Sequence, residues 1–144
     1  MNKIIIVIII SICICGCAWT VDLPRAFWGS SVRVLSDYRS EAETQSFSCS
    51  RAECFDAVLA MTGPYDSAEM DEEGLILFAK DPKKRYMVVM SVPEAVNTTE
   101  VGIFFDETSN GVTQVDISSL SSRAKATVAG MVFPVLEETC KPVL

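Results

Sequence analysis

The residues best placed to do chemistry are cysteines. The chain carries six, and Cys49, Cys54 and Cys140 lie outside the apolar start. Cys49 and Cys54 are five apart and bracket Ser50-Arg51-Ala52-Glu53, a capping box in which Ser50 takes the N3 amide and Glu53 reaches back. They occupy the two hydrophobic-staple positions of that helix start, which pack against each other. A Cys49–Cys54 disulfide is therefore a covalent staple in the right place. Cys140 is the rival partner for either one, and a third reading leaves all three reduced and buried. A redox-active pair wants Cys-x-x-Cys, which this spacing is not. Zinc wants four tight ligands, and no second cysteine pair or histidine supplies them.

The chain has no histidine at all. The commonest general base, metal ligand and pH switch is thus missing, and Ser-His and Cys-His mechanisms are disfavoured. Carboxylates for acid–base hydrolysis could be drawn from Glu53, Asp56, Asp106 and Glu107, but nothing in the sequence brings two of them into one cleft. The acidic stretch Asp66 to Glu73 lacks the spacing of a calcium loop and reads as a solvated connection. Lys83-Lys84-Arg85 reads as a charged hairpin tip, with an anionic polymer or headgroup as its functional alternative. Asn97-Thr98-Thr99 fits the glycosylation triplet. The expectation is a non-enzyme with no cofactor and no metal.

The start of the chain speaks to location. Met1-Asn2-Lys3 precedes an unbroken apolar run from Ile4 to Ile10, then Ser11 to Ile14 and Cys15-Gly16-Cys17. A basic start, a short apolar stretch and a small residue before a cut describe an export signal. The run falls short of the roughly 20 apolar residues of a transmembrane helix. Ile14-Cys15-Gly16-Cys17 resembles the lipobox of bacterial lipoproteins. The resemblance covers residues 1 to 17 and implies that Cys17 carries diacylglycerol. Two or more acyl chains hold a protein stably on a membrane. Ala18 after the cysteine implies transfer to the outer membrane under the family's usual sorting rule. The compartment implied is oxidising, which suits a disulfide.

The division expected is a signal peptide over 1–16, a lipidated tether over 17–29 and one α+β domain over 30–144. Past residue 17 there are eleven basic and nineteen acidic side chains, since the signal holds only Lys3, a net of −8. That charge argues against nucleic acid and against side-chain adhesion to anionic lipid. Phe27 and Trp28 are large for a tether and suit docking on the domain or, as the alternative, contact with the membrane surface.

The elements that must position these residues follow from periodicity. Val32, Leu35, Tyr38 and Ala42 predict a helix from Ser30 to about Thr44, capped by Ser30 or Ser31, with Arg39 and Glu43 as an i,i+4 pair. Thr44 to Ser48 reads as a short strand around Phe47. The capped helix runs from Arg51 to about Met61 and stops at Gly63-Pro64. Strands follow at Leu75–Lys80, Tyr86–Val92, Thr99–Phe105 and Gly111–Ser118, with turns at Asp81-Pro82-Lys83-Lys84 and Asn110-Gly111. Ala124, Val128, Met131 and Val135 stripe a last helix from Ser121 to Leu136, which Pro134 should kink or stop near Val132. The tail from Cys140 is loose unless that cysteine is tied down.

This order predicts an antiparallel meander of four to five strands with helices on one face, as in helix-grip or TATA-box-protein-like sandwiches. Such a likeness is one of fold alone. Two functions are open. The domain is an interaction or structural module accessory to envelope assembly or maintenance, with an envelope protein as its partner, lipid-anchored at the periplasmic face of the outer membrane. Alternatively Leu75 to Phe78 and Met87 to Met90 line an apolar pocket for a lipid or small ligand.

Overall fold

The computed structural model describes residues 31–64, 74–92, 99–109 and 111–142. The stretches expected to be signal peptide and tether (1–29), with Cys17, and the acidic stretch 66–73, Asn97 and Asn110 lie outside these residues. A compact unit spans Val34–Leu144.

Helix α1 covers residues 31–37 and passes into a 3-10 turn, Tyr38–Glu41. Then come β1 (Glu43–Ser48), α2 (Arg51–Leu59), β2 (Thr62–Pro64), β3 (Gly74–Lys80), β4 (Tyr86–Val92), β5 (Val101–Ser109), β6 (Val112–Ser118), α3 (Ser122–Thr139) and the two-residue β7 (Lys141–Pro142). The class is α+β. The strands form one mixed sheet in the order β2-β3-β4-β5-β6-β1-β7. Strands β3 to β6 are an antiparallel meander. Two features depart from the expected four to five strands: β2 joins β3 in parallel, and β1 returns to pair with β6 and carries β7 on its far side.

Alternation decides which side chains face the helices. Val101, Ile103 and Phe105 on β5 and Val115 and Ile117 on β6 point into the core, where they meet Phe55 and Val58 of α2 and Val128, Val132 and Leu136 of α3. Phe55 meets Phe105 edge-on, with ring centroids 5.4 Å apart. Leu75, Met87 and Val89 belong to the same core.

Helices are not confined to one face. Leu35, in the last turn of α1, is buried and lies over Gly102, whose outward position alternates with the core residues of β5. Ser118 donates to the Leu35 carbonyl across 2.6 Å. A Cβ at Gly102 would stand 2.7 Å from a Phe104 ring carbon and 3.2 Å from Leu35 Cβ, so glycine is what lets this helix approach the sheet.

The first helix is shorter than its apolar spacing suggests. Its pattern competes with β1, which pairs with β6 from Glu43 onward and carries fully buried Phe47. Ala42 is already extended. At the other end, α3 continues through Pro134 to Thr139 and does not stop near Val132. The carbonyl that loses its partner belongs to Gly130, four residues back, and Gly130 and Pro134 are both exposed. Water can serve that carbonyl. The buried stripe runs Ala124, Val128, Val132, Leu136, in steps of four, so Met131 and Val135 stand beside it.

Candidate functional site

Three cysteines meet where β1, α2 and β7 come together. Cys49 follows β1 directly. Ser50 then caps α2: its amide and hydroxyl donate to Glu53 Oε2, each across 2.8 Å, and the Glu53 amide donates back to Ser50 Oγ. Those bonds from Ser50 hold the Glu53 carboxyl below its usual range. The capped turn brings Cys54 round beneath Cys49. The two sulfurs are at bonding distance, with Cα atoms 6.0 Å apart, inside the usual disulfide span.

Cys140 arrives from the opposite end of the chain. It ends α3, its amide donating to the Leu136 carbonyl across 2.7 Å. The two described residues beyond it are tied down. Lys141 and Pro142 pair with Ser48 and Phe47 as β7. All three cysteines are buried, and their sulfurs lie within 4.8 Å of one another. Burial pushes the Cys140 thiol up, and the charge of Glu53 adds to the shift. This is the grouping among the described residues that could hold a soft cation. While Cys49 and Cys54 are bonded, only Cys140 offers a thiol.

A second polar cluster covers the outer face of the sheet. Arg39, in the 3-10 turn, lies over the Phe104 ring, 4.8 Å from its centroid. Its Nε donates to Asp116 Oδ2 across 3.0 Å, and its terminal nitrogen reaches both Asp116 and Asp106. Asp116 also accepts from Thr44 and Gln114, each across 2.9 Å. Burial works against the Arg39 charge, but the bonds to Asp106 and Asp116 overcome it and raise its pKa. The expected i,i+4 partner Glu43 is replaced by carboxylates from two strands. No local spacing announces the cluster, because Arg39 and Asp116 are 77 residues apart.

The remaining candidates fall into separate partnerships. Glu53 caps α2, Asp56 pairs with Lys84 across 2.6 Å, and Asp106 pairs with Arg39. Glu107 is exposed on β5. The basic hairpin tip is partly neutralised by its neighbours, since Arg85 Nε donates to Asp81 across 2.8 Å. The Lys84 amide closes the predicted turn on the Asp81 carbonyl. Among the described residues, no helix is long and apolar enough to cross a membrane. No family model, curated protein or solved structure matches the chain.

Proposed function

We propose that the chain is a lipid-anchored envelope protein whose α+β domain acts as a non-catalytic interaction or structural module. The observation that carries this reading is Ile14-Cys15-Gly16-Cys17 at the end of a short apolar run. Diacylglycerol on Cys17 would hold an acidic domain that anionic headgroups repel. The outer membrane is the expected site, and accessory work in envelope assembly or maintenance is the expected role.

The described interior supports a module over a ligand-binding shell. Of the expected lining, Leu75 to Phe78 and Met87 to Met90, the side chains of Leu75, Met87 and Val89 pack within the core with those of α2 and α3, and Leu77 packs against it. The buried polar side chains bond to the fold itself: Thr113 to the Cys49 carbonyl, Ser118 to the Leu35 carbonyl and Ser119 to the Glu100 carbonyl. A long last helix laid across the meander also supports the helix-grip likeness.

Two measurements test the reading. Cys17→Ser should abolish incorporation of labelled palmitate; continued labelling sinks the anchor. Crosslinking in living cells, then mass spectrometry of the purified protein, should yield a discrete protein partner. A co-purifying lipid or small molecule with no protein would favour the pocket instead.

A further inference from the structure

We propose that Cys49, Cys54 and Cys140 form one thiol–disulfide exchange unit, in which Cys140 displaces Cys54 from Cys49 and converts a local staple into a clamp on the C-terminal end of the domain. Two independent observations carry this. The three sulfurs lie within 4.8 Å of one another. The strand register supplies the second: Phe47 pairs with Pro142 and Ser48 with Lys141 in antiparallel sense. One step further, that register sets Cys49 opposite Cys140. Facing residues of an antiparallel pair have Cα atoms about 4.5–5.5 Å apart, within the span a disulfide bridges. Cys49 thus has two competent partners, one supplied by a helix cap and one by a ladder.

The exchange balances without any outside oxidant or reductant. Cys140 gives up its proton, and the thiolate attacks the Cys49 sulfur. A Cys49–Cys140 bond forms as the Cys49–Cys54 bond breaks, and the departing electron pair stays on the Cys54 sulfur, which takes up a proton. One disulfide and one thiol are present before and after.

The two links do different mechanical work. The first spans five residues and fixes the start of α2. The second joins positions 91 apart and ties the end of α3 to the edge of β1. A longer closed loop restrains the unfolded chain more. Burial pushes the Cys140 thiol up, which slows its attack while the strand that follows it keeps it opposite Cys49. The unit works the same way whether or not Cys17 carries lipid, so its failure leaves the anchor reading untouched.

Trypsin cuts after Arg51, which places Cys49, Cys54 and Cys140 on three separate peptides. The oxidised full chain is held in a glutathione redox buffer, quenched in acid, alkylated and mapped by mass spectrometry. Peptides joined through Cys49 and Cys140 are expected beside those joined through Cys49 and Cys54, with the alkyl label divided between Cys54 and Cys140. Among these three cysteines, a map with Cys49–Cys54 as the sole link and Cys140 alone labelled overturns the proposal. A second variant, Cys54→Ala, should form Cys49–Cys140 in the same buffer and protect both from alkylation. If it folds by circular dichroism and leaves both open to alkylation, the proposal fails; if it does not fold, the wild-type map decides.

Discussion

Arg39 and Asp116, 77 residues apart, share a hydrogen bond of 3.0 Å that fastens the turn after α1 to the outer face of β6. Asp116 is 4% exposed, so it depends on what it accepts: Arg39, Thr44 and Gln114 together satisfy it. A buried carboxylate that loses its cation costs more than the bond alone was worth, because the charge stays behind.

Arg39→Ala should therefore lower the unfolding free energy by about 2 kcal/mol, and Arg39→Lys, which loses the fork and the ring stacking, by about 1 kcal/mol. Urea denaturation followed by circular dichroism measures both. An alanine variant as stable as the parent would mean that the cluster is solvated and adds nothing.

Gly102→Ala should destabilise by about 1–3 kcal/mol, as overpacking does. The new methyl collides with the Phe104 ring and presses on Leu35 Cβ. Near-ultraviolet circular dichroism should report the displaced ring along with the lower urea midpoint. An unchanged midpoint would show that α1 does not lie against this strand.

Gly130→Ala should stabilise by about 1 kcal/mol, since a Cβ there meets nothing within 4 Å and alanine is the better helix former. Pro134→Ala should add about 2–3 kcal/mol by restoring an amide to mid-helix. Thermal melts of the two variants check the order of effects. A loss of stability in either would place these residues in packing that their exposure denies.

Asp81 carries the acid dependence that can be tested at one residue. Its burial would raise its pKa, but the Arg85 side chain and the amides of Lys83 and Arg85 bring it below the usual value. A carboxyl that ionises more readily when folded adds stability above its unfolded pKa of about 3.9, and that stability is lost as pH falls through the folded value. The gap in urea midpoint between the parent and Asp81→Asn should hold steady above about pH 5 and close below about pH 4. A gap independent of pH would mean that Asp81 acts through shape rather than charge.

Features governed by neighbours in sequence were legible. The capping box needs only Ser50 and Glu53. The alternation Val101, Ile103, Phe105 against Gly102, Phe104 follows from the pleat, and both patterns are found in the structure. The staple positions likewise marked Cys49 and Cys54 as a pair to watch. What escaped depends on partners far along the chain. Arg39 chose Asp116 over its local partner Glu43 because the β1–β6 pairing draws Glu43 into a strand. Pro134 reads as a kink or a stop, and the helix does not stop there, because spacing says nothing about exposure, which is what makes the lost bond tolerable. The tail from Cys140 reads as loose unless that cysteine is tied down, and the strand that ties it, Lys141–Pro142, is too short to carry a periodicity.

Among the described residues the outer strands of the sheet are short, Thr62–Pro64 in β2 and Lys141–Pro142 in β7, and each holds a proline. Proline brings no N–H, so each rim offers a broken row of donors to any neighbouring backbone. A second copy meeting either of these two strands would thus find few donors on which to continue the ladder.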